Sequence, residues 1–282
     1  MIKMVYLWLI IRITLLGYER IAGKKIATHE DEILSSWAFF FFSFLAFFPF
    51  FNYITILSLK SAIFSGTIYS LSFFLYVYAL ANEDASVIAP LYNMNVIFLI
   101  ITTAIFLNEK ITITKILGSL LMLYGVSFLK KDINLKESYK NIFKSKGALA
   151  MLFSSGLMAI GRTIDGYFVK NIDSLSYSIS IYLIVSIYFF IITIIKYKSI
   201  KPHINIIKRK FSSLISGGIS NAYSYIALLK MFKYIDVSIA EPVSMSSALI
   251  TAFFAKYIFK ENITIRVFGT ILLILGAFVI YL

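Results

Sequence analysis

The sequence predicts an all-α integral membrane fold, with ten transmembrane helices arranged as two inverted five-helix repeats. Three observations carry this prediction. Apolar residues gather into runs of about 20, the length that crosses a bilayer as a helix, and 60% of the 282 residues are hydrophobic at a mean hydropathy of +0.85. One segment is written twice: residues 85–125, ASVIAPLYNMNVIFLIITTAIFLNEKITITKILGSLLMLYG, return as residues 237–276, VSIAEPVSMSSALITAFFAKYIFKENITIRVFGTILLILG. Each half holds five runs, an odd number, so the second copy enters the membrane in the opposite sense to the first.

Charged or turn residues bound spans near 4–22, 34–57, 61–81, 85–107, 112–130, 147–169, 174–196, 212–234, 237–259 and 264–282. The first keeps Arg12 in its middle and lacks a small-residue cleavage site, so it reads as a retained helix and not a signal peptide. The second follows the cluster His29-Glu30-Asp31-Glu32, whose acids suit the positive end of a helix dipole; its run Phe39–Phe42 reads as lipid-facing bulk. The fourth and ninth spans carry Pro90 and Pro242 and end at Glu109 and Glu261, each pair 152 positions apart. Gly118/Gly269 and Gly125/Gly276 are 151 apart, which one deletion explains. The Lys-rich connection 132–146 separates the first repeat, 1–131, from the second, 147–282.

Charge orders the connections. Odd-numbered connections hold 18 Lys and Arg residues, whereas the N-terminus and the even-numbered connections hold seven. By the positive-inside rule the odd connections face the cytoplasm and both termini lie outside. This placement accounts for the net charge of +13 without nucleic acid, since no basic face is spread over a soluble surface. The absence of cysteine excludes disulfides, thiolate metal sites and thiol nucleophiles. His29 and His203 stand in different connections and leave no metal-ligand spacing. Phosphate loops, nucleophile elbows and paired catalytic acids are also missing, so neither a cofactor nor an enzymatic activity is expected.

The segments IAPLYNMNVIFLIITTAIFLNEKIT and IAEPVSMSSALITAFFAKYIFKENIT, each followed by a glycine-containing apolar helix, resemble the signature of the EamA branch of the drug/metabolite transporter superfamily. The likeness is close over the fourth, fifth, ninth and tenth spans; over the others, span count and length carry it. It implies a ten-helix, inverted-repeat carrier of small organic solutes, with a central cavity lined by spans one to four and six to nine and with the fifth and tenth peripheral. It also implies cytoplasmic termini, opposite to the charge distribution, and it does not account for the charges in the first span.

Charges within spans are the strongest candidates for chemistry, because an ionisable group at the bilayer centre costs at least about 2.5–3.5 kcal/mol on insertion scales. Arg12 and Glu19 share a face of the first span, and Arg162 and Asp165 share a face of the sixth. Aligning Lys24 with Lys170 sets Glu19 opposite Asp165. The arginines suit a substrate carboxylate or phosphate and the acids a proton or cationic group; mutual neutralisation is the structural alternative. Glu241 replaces the apolar Ala89 of the first copy, and either a substrate role or headgroup contact fits it. Asn93 and Asn95, Ser244, Asn221 and Tyr225 add neutral hydrogen-bonding groups, which in membrane helices also serve packing. Pro90 and Pro242 each remove a backbone donor and are candidate hinges. Glu109 and Glu261 precede Thr112 and Thr264 by three residues and read as helix-end structure.

These readings lead to a secondary transporter of the cell (inner) membrane that moves a small polar metabolite, an amino acid or related amphoteric solute, by alternating access, with proton coupling as an option. The alternatives are an integral-membrane enzyme acting on a lipid-linked substrate, a passive channel or, among carriers, a cation or drug exporter. Expected partners are the solute, protons in a coupled cycle, membrane lipid and at most a second copy of the chain.

Overall fold

The computed structural model describes residues 2–82, 91–92, 94–127, 145–259, 271–272, 274–276 and 278–280. Among them every regular element is helical. Helices α1 (Ile2–Ala27), α2 (Glu32–Leu45), α3 (Ile56–Asn82), α4 (Asn95–Leu107), α5 (Ile113–Ser127), α6 (Lys146–Phe168), α7 (Ser174–Tyr197) and α8 (Lys201–Met231) occupy the first eight predicted spans. The ninth is broken into α9 (Val237–Ser244), a 3-10 turn at Met245–Ser247 and α10 (Ala248–Phe259). Residues 271–272, 274–276 and 278–280, in the tenth, are helical. By length and composition Ile56–Ala79, Lys146–Phe168, Ser174–Tyr197 and Val237–Ile258 can each cross a membrane. Pro90, Asn93, Glu261, Thr264 and the Lys-rich connection through residue 144 lie outside the described residues.

Short polar side chains start several helices by accepting otherwise orphaned amides. The Asp31 carboxylate takes the Leu34 amide at 2.9 Å at the head of α2, and Asp173 takes those of Leu175 and Ser176 at the head of α7. Thr112 accepts the Lys115 amide at the start of α5. At the other ends of α4 and α7, Asn108 and Lys198 adopt the left-handed conformation that closes a helix.

The chain folds into two compact units that cut across the sequence duplication. The first takes the chain up to Ser70 together with Phe168–Tyr234, and so contains α1, α2, the first half of α3, α7 and α8. In it α8 packs on α1 and α2, and α2 on α7. Gly218 makes the α2–α8 approach possible, since a Cβ there would lie 2.7 Å from the backbone of Phe42. Hydroxyls link the remaining helices: Ser58 to Ser180 at 2.8 Å and Ser65 to Tyr177 at 2.5 Å. The run Phe39–Phe42 is not lipid-facing bulk. Phe40 and Phe42 are buried, Phe40 stacking on Phe189, because four consecutive residues at about 100° each sweep most of a helix circumference.

At one end of this unit the first and seventh connections meet. Lys196 donates to Asp31 at 2.5 Å, and Arg209 grips Glu30 with bonds of 2.9 and 2.7 Å. Burial alone would push the Asp31 carboxyl up, yet the Lys196 ammonium and the Leu34 amide bring it below its ordinary value. The acids near His29 thus cap a helix and hold two connections together.

The second unit comprises Leu71–Tyr167 and the chain from Ile235 onward. Here α6 binds α3 through Ser154 and Ser72, α4 through Thr163 and Thr102 at 2.7 Å, and the Leu91 carbonyl through Ser155. Glu109, just past α4, stands 3.9 Å from Lys115 of the helix that follows, but its hydrogen bonds go to a different helix. Its two carboxylate oxygens accept the Val237 and Ser238 amides at 2.7 and 3.1 Å and the Ser238 hydroxyl, closing the start of α9 from 128 residues away. Asp236, the natural cap of α9, turns instead to Lys115 at 2.7 Å. The fourth and eighth connections are thereby tied, and Val237 packs against Gly166 of α6.

Gly218→Ala is expected to lower the thermal unfolding temperature of the purified protein, since overpacking against fixed backbone costs roughly 1–3 kcal/mol. Gly23→Ala, where a Cβ meets nothing within 4 Å, should leave it unchanged or raise it. Glu109→Gln should also destabilise the protein, by roughly 1–3 kcal/mol, because a donor replaces one of two acceptors aimed at α9; the same scan reads it.

Candidate functional site

The second unit gathers three of the charged residues singled out by the sequence. Arg162 and Asp165 stand one turn apart on α6, and α9 presents Glu241 to them. The Arg162 Nε donates to Glu241 Oε1 at 3.3 Å and Nη1 donates to Asp165 Oδ2 at 3.4 Å. The guanidinium is thereby shared between the two acids, at distances longer than the roughly 2.7–2.9 Å of the shortest charge-assisted bonds. Exposure divides their roles: the Asp165 side chain is 0% exposed, whereas those of Arg162 and Glu241 keep 15% and 12%. Asp165 is thus the internal member of the trio, and Arg162 and Glu241 are its partly exposed members.

The position of Glu241 follows from the local fold. Glu109 and Val237 anchor the start of α9, and one turn further Glu241 faces Arg162. Pro242 is buried inside α9, which ends two residues later as the Met245 amide turns back to the Pro242 carbonyl. Ser244 is buried and donates to the Ala240 carbonyl at 2.7 Å, so its hydroxyl serves this helix end. Asn95, at the head of α4, is 4% exposed, and its Oδ1 accepts no hydrogen bond among the described residues.

In the first unit Arg12 is 4% exposed on α1 and donates from Nη1 to the Ser224 hydroxyl of α8 at 2.7 Å. Glu19, two turns along α1, is half-buried. Asn221 donates to the Ser43 hydroxyl at 2.9 Å and accepts from the Tyr182 hydroxyl at 2.9 Å, joining α8 to α2 and α7. Tyr225 is buried, edge-on to Tyr182 with ring centres 5.6 Å apart. Sequence reasoning missed Ser224, Ser43 and Tyr182. A helical-face count would have pointed to Ser224, three residues from Asn221, but its partner is 212 positions away. Among the described residues no group of three His, Asp or Glu side chains is placed to hold a metal ion.

The EamA-like transporter family matches this chain twice, over residues 3–130 and 145–282. A solved structure described only as the crystal structure of a protein superposes with a TM-score of 0.76, covering 98% of this chain and 95% of its own at 14% identity. Likeness at that identity speaks for the fold alone. No curated protein matches the sequence. Since the two family matches together take in nearly the whole chain, repeat by repeat, it belongs to the EamA-like transporter family and is an integral membrane transporter.

Proposed function

We propose that the chain is a secondary carrier of a small amphoteric solute, an amino acid or a compound with the same pair of charges, working by alternating access in the cell (inner) membrane. The observation that carries this reading is the Arg162–Glu241 pair itself, two opposite charges on α6 and α9 with 3.3 Å between Nε and Oε1 and with 15% and 12% of their side chains exposed. A cross-helix ion pair is matched by a ligand that carries both signs. An ammonium group replaces Arg162 at Glu241, a carboxylate replaces Glu241 at Arg162, and the exchange leaves no charge stranded in a low dielectric. Asp165 holds the guanidinium while the pair is open. Within the second unit Asn95 and Ser244 are the neutral contributors; in the first unit, taken by itself, Arg12 is the candidate for an anionic group, with Glu19 as an acid and Asn221 and Tyr225 as neutral contributors. Pro242, and Pro90 in the other repeat, act as hinges.

The break at Met245 lets α9 tilt without dragging α10, so Glu241 can leave Arg162 and return. Protonation of Glu241 opens the same pair, which would couple the cycle to protons. Export of a cation alone is the second reading: a cation takes Glu241 while Asp165 retains Arg162. The excess of Lys and Arg in the odd connections supports an orientation with those connections in the cytoplasm, opposite to the cytoplasmic termini that the family resemblance implies.

In proteoliposomes, labelled alanine and lysine are expected to enter saturably and faster when the same solute is present inside, with choline a poor substitute. Glu241→Gln should cut this counterflow by roughly tenfold or more, as expected for losing a charge-assisted bond of about 1.5–3 kcal/mol. Uptake that is linear in concentration and indifferent to internal solute would indicate a channel, and choline counterflow alone would favour the cation reading.

A further inference from the structure

The end of the first unit where the first and seventh connections meet is more basic than helix packing requires. Between Lys24 and Glu32 and between Lys196 and Lys210 there are eight basic side chains and three acidic ones. Two of the acids are already engaged inside the fold, Asp31 with Lys196 and Glu30 with Arg209. Lys210 is also used internally, donating to the carbonyls of Lys25 and Thr28. Lys198, Lys201 and Lys208 are exposed, and no side-chain hydrogen bond or ion pair holds them among the described residues. Cations also stand at the opposite end of the unit, Lys3, Lys60, Lys170, Lys230 and Lys233 against Asp173, which faces Lys230 at 3.9 Å; the first end is distinguished by the apolar side chains that accompany its lysines.

Apolar side chains set the depth of these cations. Ile195, Ile200, Ile204 and Phe211 are exposed by 45–69% and alternate along the chain with Lys198, Lys201 and Lys208. Ile204, Lys208 and Phe211 share one face of α8. Exposed isoleucine beside exposed lysine is the pattern of a helix segment at the headgroup boundary, its apolar groups among acyl chains and its amines at phosphate level. Lys198 is held there by the left-handed turn that ends α7.

We propose that Lys198, Lys201 and Lys208 form a binding surface for anionic phospholipid headgroups, which ties this end of the transporter to the anionic leaflet. Each cation near such a surface adds attraction that salt screens within a Debye length. A lipid fits better than a soluble anion because the exposed apolar groups need acyl chains beside the phosphate.

The test is thermal unfolding of the full-length protein in detergent supplemented with phosphatidylcholine or, at equal mole fraction, phosphatidylglycerol. Phosphatidylglycerol should give the higher Tm. Lys198→Gln/Lys201→Gln/Lys208→Gln should match the parent in phosphatidylcholine and lose most of the increment. Equal Tm values in the two lipids overturn the proposal, as does an increment retained by the triple variant. Inorganic phosphate that reproduces the increment without anionic lipid also overturns it, assigning the surface to a free anion. If the triple variant fails to fold, Lys208→Gln alone, read by native mass spectrometry, should retain fewer phosphatidylglycerol molecules than the parent; equal retention counts against the proposal.

Discussion

Hydrocarbon offers no hydrogen bonds, so a charge or helix end that leaves water in this chain must be answered by another residue of the chain. The start of α9 shows how strongly this shapes the fold. Asp236 sits in the capping position but pairs with Lys115, and Glu109 arrives from the end of α4 to take the free amides. That bond ties α9 to α4 near α6, and one turn later Glu241 faces Arg162. The Arg162–Glu241 pair therefore depends on a structural cap formed by a residue of the other repeat.

The same constraint has opposite outcomes at different places. Asn221 is engaged on both sides of its amide by Ser43 and Tyr182, and it stabilises a three-helix junction. Arg162 is shared between two acids at 3.3 and 3.4 Å, one of them fully buried and the other partly exposed. A satisfied network holds its helices rigidly, and a shared one can re-pair when a helix moves. In the second unit the Ser72–Ser154 and Thr102–Thr163 contacts fix α6 in place, and the proposed carrier mechanism draws on the charges that the same helix carries.

Much of the fold was legible because it depends on period and composition. The first eight spans appear as helices near their expected positions, and the family matches start and stop where the duplication divides the chain. The charged site was legible in part: Arg162 and Asp165 are three residues apart on one helix, and helical geometry joins them. Their meeting with Glu241, 79 positions away, is a matter of tertiary packing, as is the service of Glu109 to α9 and of Ser224 to Arg12. The two compact units were invisible for the same reason, since each draws helices from both halves. The phenylalanine run misled because composition alone does not say which face of α2 meets α7 and α8.

The central claim is that Arg162 and Glu241 form a real but breakable pair across α6 and α9. A double-mutant cycle on thermal or denaturant stability, using Arg162→Gln, Glu241→Gln and the double variant, tests it without knowledge of the substrate. The predicted outcome is non-additivity of about 0.5–3 kcal/mol, with Arg162→Gln the more damaging single change because it leaves two acids without their shared cation, and with the second substitution restoring part of the loss. Effects that add to within roughly 0.3–0.5 kcal/mol would mean the two side chains do not interact, and the exchange mechanism built on them would fail.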